Sequence, residues 1–383
     1  MVEWKTIKDV CDVLNGFAFK SQEYVPAGIR IIRISDVQSG YISDKDKVFY
    51  PQERLSEYKR YLLHHGDLVM SLTGNPGRVA FIKDESCALN QRVACLRAKT
   101  ASNSFLFYLF NCKDFESIAY ANSTGGAQKN LSTTWLNNYK IPLPPLSEQT
   151  RIVSILDTFT SSITNLKQQI AERRKQYEHY RDQLLDLEGK EGVEMKTLGE
   201  IGTFIRGTGI QKNDFVESGY NCIHYGQIHT KYGLSASETI SKIEEPLYKK
   251  SKKAQKGDVI LATTSEDAEG VAKPLVWLGE GEVAVSGDAF IFHHHQNGKF
   301  MAYQFVSHRF MLFKIRYATG AKVIRISGEN MAKFKVALPH IEVQSRIVSF
   351  LDTFEVSISN LEAQLKEREK QYEYYRNQLL SFK

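Results

Sequence analysis

Hydrophobic residues recur at a 3.5-residue spacing over two long segments of the chain. In residues 147–187 they are separated alternately by four and three positions, and the same alternation returns in residues 342–382. This spacing is typical of a coiled-coil seam, and no proline interrupts either segment. The pattern therefore predicts two long helices that pack on each other. The predicted seam residues are Ile152, Leu156, Phe159, Ile163, Leu166, Ile170, Ile347, Leu351, Phe354, Ile358, Leu361 and Leu365.

An arginine interrupts the apolar pattern at the same place in each helix. These residues are Arg173 and Arg368. A buried arginine requires a partner, and a polar residue in a seam can fix the register of the two helices. The sequence leaves three possible partners open, namely Glu172, Glu367 or a bound protein.

The two helices belong to a repeat that covers the whole chain. Residues 139–187 match residues 334–382 without a gap, with about 28 of roughly 49 positions identical. Residues 3–10 echo residues 194–201 less closely. The chain is therefore two similar halves, each a variable region followed by a near-invariant helix. Internal two-fold character suits a target with two-fold character, and duplex DNA is the commonest such target.

The variable regions show a mixed pattern. Apolar runs at residues 28–34, 66–73, 87–97 and 257–264 predict strands, and helical spacing recurs near residues 103–120 and 300–316. The predicted fold class is thus α+β, with two α/β domains joined by two long helices. The predicted divisions are residues 1–146, 147–188, 193–341 and 342–383, with a polar linker at residues 188–192.

Composition narrows the class of protein. The 383 residues are enough for two or three domains, and 42% hydrophobic with 25% charged residues is an ordinary globular composition. A net charge of +6 permits an anionic partner without demonstrating one. Five cysteines without a CxxC pair indicate reduced thiols, so we expect a cytoplasmic protein. We also expect no membrane segment, because no apolar run approaches the roughly 18 residues that a span requires.

Motifs of catalysis are missing from the sequence. It contains no GxxxxGK[ST] loop, no GxSxG and no HExxH. The glycine-rich residues 204–209 lack a third glycine, and residues 75–77 only begin like the motif of amino-methyltransferases. Residues 293–295 are three histidines, but neighbours on a strand point to opposite faces and chelate poorly. We therefore expect neither a catalytic residue nor a metal site.

One ordered series of short motifs occurs in both halves. In the first half it runs from residues 3–5 through 15–17, 28–36, 66–69 and 123–125 to the segment 141–153. In the second half it is looser, since Ala337 and Val343 stand where the first half has Pro142 and Glu148. Over essentially its whole length, the chain resembles the specificity subunit of type I restriction–modification systems.

The resemblance implies a division of labour. Each variable region would be a target recognition domain that reads one half of a bipartite site in double-stranded DNA. The helices would pack antiparallel about a pseudo-two-fold axis and space the two domains. The subunit itself would be non-catalytic and would dock two methyltransferase (M) subunits and restriction (R) subunits. No cofactor is expected in this chain, because the methyl donor, ATP and magnesium would lie on those partners.

Candidate DNA contacts follow from side-chain chemistry. Lysine and arginine neutralise phosphates, arginine suits guanine, and asparagine or glutamine suits adenine. Arg78 follows a turn at residues 73–77, and its replacement by alanine should cost about 1–3 kcal/mol of binding if it reads a base. The predicted contacts are Lys20, Arg33, Asn75, Arg78, Gln128 and Lys129 in the first half, and Lys212, His224, Lys322 and Arg325 in the second.

Two other classes remain open at this point. A structural coiled-coil adaptor without DNA specificity would bind its partners with no dependence on salt and no preference for DNA. A stand-alone enzyme would transfer methyl groups or hydrolyse its substrate without a partner. The target bases, the spacer length and the identity of the partners are not readable from the sequence. The two variable regions differ strongly, so the predicted DNA site is asymmetric.

Overall fold

The computed structural model describes residues 2–83, 87–126, 128–320 and 322–382. The chain forms two compact units, one made of residues 1–166 with 364–383 and the other of residues 167–363. The boundary between them falls inside both long helices. Each unit therefore combines a variable region with the beginning of one long helix and the end of the other.

The elements of the first half begin and end as follows. The strands are β1 (Glu3–Thr6), β2 (Cys11–Asn15), β3 (Ile29–Ile32), β4 (Val37–Gln38), β5 (Tyr41–Ile42), β6 (Val48–Tyr50), β7 (Leu62–Leu63), β8 (Leu68–Ser71), β9 (Thr73–Gly74), β10 (Val79–Phe81), β11 (Cys87–Leu89), β12 (Val93–Ala98), β13 (Lys129–Asn130) and β14 (Lys140–Leu143). The helices are α1 (Ile7–Val10), α2 (Leu55–Tyr58), α3 (Asn103–Phe110), α4 (Lys113–Ala121), α5 (Thr133–Asn138) and the long α6 (Leu146–Leu185).

Two sheets form the frame of unit 1. One is antiparallel with the strand order β10-β8-β12-β2, and the other has the order β6-β3-β11-β7 with β3 and β11 parallel. Strand β8 is buried on both faces, as expected for a continuous apolar run. The core lies where Phe105 and Tyr108 of α3 pack with Leu68 of β8 and with Ile152 and Leu156 of α6. The seam residues at the start of α6 thus belong to the core of the domain.

The second half repeats this order with its own bounds. The strands are β15 (Glu194–Thr197), β16 (Gly202–Arg206), β17 (Phe215–Val216), β18 (Tyr220–Ile223), β19 (Ser235–Ala236), β20 (Ser241–Ile243), β21 (Lys253–Ala254), β22 (Val259–Ala262), β23 (Thr264–Ser265), β24 (Lys273–Trp277), β25 (Val283–Val285), β26 (Ala289–His294), β27 (Ile324–Arg325) and β28 (Lys335–Leu338). The helices are α7 (Leu198–Ile201), α8 (Tyr225–Thr230), α9 (Glu245–Lys250), α10 (Gly298–Val306), α11 (His308–Tyr317), α12 (Gly328–Ala332) and the long α13 (Ile341–Leu380).

Unit 2 has the same two-sheet frame with an added strand in each sheet. The orders are β16-β26-β22-β24-β19 and β17-β20-β18-β25-β21. In both units the first strand of the variable region pairs with its last, β1 with β14 and β15 with β28. This pairing closes each domain immediately before its long helix begins. The predicted α+β class with two α/β domains and two long antiparallel helices is confirmed.

Several predicted elements are subdivided in the structure. The apolar run at residues 87–97 is two strands, because β11 belongs to one sheet and β12 to the other. The predicted helices at residues 103–120 and 300–316 are also each broken into two. Cys112 and Ser307 cap the second helix of each pair by accepting a bond from the backbone N–H three residues later. No helix in the described ranges is both long and apolar enough to cross a membrane.

The long helices run antiparallel where they meet. In unit 2, Tyr180 contacts Phe350, and Arg174 binds Glu362 at 2.5 Å, so later positions on α6 meet earlier positions on α13. In unit 1, Phe159 of α6 stacks on Tyr375 of α13 with ring centroids 5.3 Å apart. All twelve predicted seam residues are buried or half-buried.

The seam arginines lie over aromatic rings. In unit 1 the guanidinium of Arg368 lies 5.6 Å from the ring centroid of Phe159, and in unit 2 that of Arg173 lies 5.8 Å from the ring centroid of Phe354. A cation over an aromatic face contributes about 0.5–2 kcal/mol, depending on how dry the contact is. The partner that the sequence left open is therefore a phenylalanine of the opposite helix, in the same arrangement at both places.

A buried glutamine ties each long helix to its domain. Gln149 is 1% exposed, and its Oε1 accepts from the backbone N–H of Ser102 at 2.8 Å while its Nε2 donates to the carbonyl of Pro144 at 2.8 Å. Gln344 makes the same bonds in unit 2, to Asn297 at 3.1 Å and to Pro339 at 2.9 Å. The bonds to Pro144 and Pro339 are buried and those to Ser102 and Asn297 half-buried, so the glutamines pair backbone groups that water reaches poorly.

A carboxylate about two turns further along each helix adds a second tie. The hydroxyl of Tyr108 on α3 donates to Asp157 at 2.5 Å, and that of Tyr303 on α10 donates to Asp352 at 2.7 Å. Burial, with the neighbouring carboxylate, raises the pKa of both tyrosines, so the hydroxyls stay protonated donors. Together the two ties set the direction in which each long helix leaves its domain.

We expect Gln149→Met to lower the free energy of unfolding by about 1–3 kcal/mol, because methionine leaves the N–H of Ser102 and the carbonyl of Pro144 unpaired in the core. Denaturant unfolding of the full chain measures the change. Gln168→Met is the matched control, since Gln168 is exposed on the same helix and should change stability by no more than about 0.5 kcal/mol. Equal stability of both variants would contradict the role given to Gln149.

Candidate nucleic-acid interface

Four of the ten predicted contact residues lie beside the second sheet of their unit, two in unit 1 and two in unit 2. Lys20 precedes a 3-10 turn at Ser21–Glu23 and is exposed, and Lys212 opens the corresponding turn at Lys212–Asp214. Arg33 directly follows β3, and its guanidinium and backbone N–H both bind the carboxylate of Asp36. Both lysines are exposed and can reach phosphates, although the ammonium of Lys20 also lies 3.9 Å from Glu23, whereas Arg33 is already engaged by its own loop.

His224 occupies in unit 2 the place that Arg33 has in unit 1, directly after the strand β18. It is buried, with 6% of its surface exposed, and its Nδ1 accepts from the backbone N–H of Gly226 at 3.1 Å. Burial lowers the pKa of His224, and the nearby Lys212 adds to the effect. The side chain is thus a neutral cap of α8, a role that the sequence pattern did not reveal.

Arg78 is held against helix α4. Its Nε donates to Glu116 at 3.2 Å and its Nη1 donates to Gln38 at 2.9 Å. Asn75 in the preceding turn is exposed, and its backbone carbonyl accepts from Ser71 Oγ at 2.5 Å. A base contact by Arg78 would compete with two existing bonds, while the side chain of Asn75 faces solvent.

Gln128 and Lys129 belong to a tight loop that returns onto β9. Strand β13 pairs with β9, so that Asn130 lies opposite Thr73. The loop begins at Gly125, where φ is +100° and a Cβ would lie 2.5 Å from the carbonyl oxygen of Gln128, so only glycine fits. The ammonium of Lys129 lies over the ring of Tyr120.

A polar cleft of about 510 Å³ opens beside this loop. We name it cleft 1. Arg92 is the one charged residue in its lining, is exposed, and has no carboxylate partner among the described residues. The lining therefore combines one free guanidinium with several amides and no acid. It consists of Asn15, Leu72, Thr73, Gln91, Arg92, Gln128, Asn130, Leu131, Ser132 and Thr133.

Unit 2 has a cleft of about 250 Å³ at the corresponding loop, here named cleft 2. Arg325 of β27 lies opposite Thr264 of β23, and Gly320, with φ of +118°, begins the loop as Gly125 does in unit 1. Arg206 donates from Nε to the carbonyl of Gly287 at 2.9 Å and lies 3.9 Å from Asp288. Lys322 is exposed in the turn before β27. The lining is Arg206, Thr263, Thr264, Asp288, Phe290, Tyr317, Thr319, Arg325, Ile326, Ser327 and Asn330.

The structure thus brings only some predicted contacts together. Gln128 and Arg325 line clefts, Lys129, Asn75 and Lys322 lie on the loops beside them, and the other five lie elsewhere in the units. The pattern missed several cleft residues whose side chains carry hydrogen-bond donors, because they come from strand ends far apart in sequence. One signal was available, since the loop at residues 123–130 aligns with residues 318–325 in the repeat. The missed residues are Asn15, Gln91, Arg92, Asn130 and Arg206.

The histidine triplet is used within the fold. His293 Nδ1 lies 2.8 Å from Asp258, and burial lowers the pKa of His294 to about 4. Among the described residues, no group of three or more histidine, cysteine or acidic side chains could hold a metal ion.

Two similar domains, each with a cleft at the corresponding loop and each tied to a long helix, define a duplicated binding protein. The sequence model of the type I restriction modification DNA specificity domain matches residues 1–173 and again residues 190–369. The chain is 26% identical over 400 residues to a putative type I restriction enzyme specificity subunit of Haemophilus influenzae, covering 100% of this chain and 96% of that one. It is 30% identical over 317 residues to the EcoR124I/EcoR124II specificity subunit of Escherichia coli, covering 78% and 76%.

Solved structures share the fold. The type I restriction–modification S subunit from M. genitalium superimposes with a TM-score of 0.61 at 15% identity, over 100% of this chain and 97% of that one. A chain from a study of complex assembly and conformational transition of the type I R-M system gives 0.60 at 18% identity, over 99% and 97%. The protein belongs to the family of type I restriction–modification DNA specificity subunits, as its sequence predicts.

We expect the capping role of His224 to be visible as a dependence of stability on pH. Because its pKa in the folded chain lies below the ordinary 6.5, the unfolded chain binds the proton more readily, so stability falls as pH drops below about 6.5. His224→Asn keeps a capping side chain but cannot titrate, so it should lose less stability between pH 7.5 and pH 5 than the native chain does.

Denaturant unfolding at both pH values measures this difference, and the contribution of His294 cancels because both proteins contain it. His224→Ala should cost about 1 kcal/mol at pH 7.5 through loss of the cap. Parallel pH profiles of the native chain and His224→Asn would rule out the proposed role.

Proposed function

We propose that this chain is the DNA sequence-specificity subunit of a type I restriction–modification complex and recognises a bipartite, asymmetric site in double-stranded DNA. The observation that carries this proposal is the duplicated cleft. Each unit places a net positive cleft at the same loop of the same two-sheet frame, with different side chains in the two copies. Membership of the DNA specificity family supports it.

In this proposal, phosphate contacts give affinity and cleft side chains give sequence choice. Lys20 in unit 1 and Lys212 in unit 2 are exposed and suit phosphates. The binding of DNA by these lysines should weaken as the salt concentration rises, because it releases counterions from the DNA. Each long helix has 40 residues and is therefore roughly 60 Å long. Half-sites one turn apart lie roughly 34–36 Å apart, so the helices are long enough to act as a rigid spacer.

The division of the chain follows the same proposal. Residues 1–146 and 193–341 would be the two target recognition domains, and residues 147–188 and 342–383 the central and C-terminal spacers. The subunit would be a non-catalytic scaffold in the cytoplasm that binds two methyltransferase subunits and the restriction subunits. The methyl donor, ATP and magnesium would be bound by those partners, and none by this chain.

The decisive experiment is a methylome determined by single-molecule sequencing. The chain is co-expressed with the methyltransferase encoded beside it, in a host that lacks DNA methylation. We expect N6-methyladenine at one bipartite motif with a fixed gap and two different half-sites. If the assembled complex methylates no such motif, and binding shows no dependence on salt, the protein is an adaptor without DNA specificity.

We also expect residues 1–187 to form a dimer, because the contacts between the helices are the same in both units. Phe159 could meet Arg173 and Tyr180 of a second copy in place of Arg368 and Tyr375, and Phe354 makes those contacts in unit 2. Light scattering measures the mass, and with the methyltransferase the dimer should recognise the first half-site twice, as a two-fold symmetric motif. A strictly monomeric fragment would contradict the equivalence of the two helices.

A further inference from the structure

Hydrogen bonds identify which residues correspond in the two clefts. The N–H of Leu72 donates to the carbonyl of Arg92 at 3.0 Å, and the N–H of Thr263 donates to the carbonyl of Asp288 at 3.1 Å. In each case the acceptor directly precedes the central strand, β12 or β26. Arg92 and Asp288 therefore hold the same position in the two units.

Two more positions correspond in the same way. Asn15 pairs with Ala94, two residues after Arg92. Arg206 pairs with Phe290, two residues after Asp288. Asn130 pairs with Thr73 and Arg325 pairs with Thr264, in matching short ladders. Three positions of the cleft thus carry asparagine, arginine and asparagine in unit 1, and arginine, aspartate and arginine in unit 2.

The frame around these positions is kept while their chemistry changes. Thr73 and Thr264 are alike, and Ser132 and Ser327 both cap a helix, with the hydroxyl of Ser132 accepting from the N–H of Thr134 and that of Ser327 from the N–H of Asn330. Both clefts also carry one net positive charge, from Arg92 alone in unit 1 and from two arginines with one aspartate in unit 2. Attraction for phosphate is therefore similar in the two units, and the pattern of donors and acceptors is what differs.

Local bonds orient the amides of cleft 1. Thr133 Oγ1 donates to Asn15 Oδ1 at 3.2 Å, and Thr73 Oγ1 donates to Asn130 Oδ1 at 3.0 Å. With each amide oxygen occupied in this way, the amino groups are left as donors. Gln91 and Gln128 make no side-chain hydrogen bond within the described part of the chain and keep both donor and acceptor, the combination that reads adenine.

Cleft 2 offers guanidinium groups instead. Arg206 is fixed through Nε, which leaves its terminal nitrogens available, and Asp288 lies close enough to orient them. Arg325 is exposed and makes no side-chain hydrogen bond or ion pair among the described residues. Arginine forms paired bonds with O6 and N7 of guanine, so this cleft suits guanine-containing sequence.

We propose that these three pairs of positions, Asn15 with Arg206, Arg92 with Asp288, and Asn130 with Arg325, determine why the two half-sites differ. Cleft 1 reads base edges with amides and Arg92, and cleft 2 reads guanines with Arg206 and Arg325. This inference rests on the proposed function and assigns the choice of bases to particular residues of each unit.

The test uses the full chain in its methyltransferase complex and compares methylated motifs. The triple variant N15R/R92D/N130R places the side chains of cleft 2 in cleft 1. We expect one half-site of the motif to change and the other to remain as in the native complex. Arg60→Ala, which removes an exposed arginine of unit 1 outside the cleft, is the matched control and should leave the motif unchanged.

Single variants separate base reading from phosphate binding. Arg92→Lys keeps the charge but not the paired donors, so discrimination between the native motif and duplexes altered in one half-site should fall roughly 5- to 150-fold. The dependence of binding on salt should stay unchanged in Arg92→Lys and weaken by about one counterion in Arg92→Ala. Arg325→Lys should affect only the other half-site, and it decides the question independently if the triple variant does not fold.

The outcomes are distinct. If the native complex shows no bipartite motif, the proposed function fails. If the native motif is present but the triple variant, Arg92→Lys and Arg325→Lys all retain it with full discrimination, the proposed function stands and the assignment to the clefts is overturned. Loss of discrimination in both half-sites from a change in one cleft would overturn it as well.

Discussion

The structure depends on how each long helix is joined to its domain. Gln149 and Gln344 pair with backbone groups at the edge of the core, and Asp157 and Asp352 each accept a tyrosine hydroxyl about two turns further on. An unpaired buried backbone group would cost about 1–3 kcal/mol, so these bonds favour one direction of the helix relative to its domain. The position of each domain relative to the start of its own long helix is therefore set by these bonds.

Because the sequence is duplicated, the two long helices make the same contacts with each other in both units. Each phenylalanine at the centre of the seam receives an arginine and a tyrosine from the opposite helix, in unit 1 as in unit 2. An arginine half-buried in a seam is tolerated because its charge faces an aromatic ring, while a leucine there would fit many registers. Arg173 and Arg368 therefore fix the register of one long helix against the other, which a continuous apolar seam would define poorly.

The two domains share a backbone frame and differ in the side chains that line their clefts. The sheets, the glycine that turns the loop and the threonine opposite β13 or β27 are shared by the two units, and they place side chains at fixed points. Variation at those points changes hydrogen-bond chemistry without disturbing the core. Because most of these side chains are exposed, changes at these points need not cost stability.

Local pattern in the sequence determined the long helices, the seam and the two-fold repeat. A periodic apolar stripe and a repeated motif order are properties of neighbouring residues, so they can be read without knowing the fold. The family, too, followed from that order. By contrast, the division of residues 87–97 between two sheets and the breaks near Cys112 and Ser307 depend on packing.

Only the tertiary structure decided which polar residues line the clefts. Asn15, Arg92 and Asn130 are far apart in sequence and meet because β2 and β13 end where β12 begins, whereas Arg78 and Arg33 are held by acidic neighbours. His224 became a buried cap for the same reason. Side-chain type indicates what a residue can bind, but whether its hydrogen bonds are already used depends on neighbours that only folding brings close.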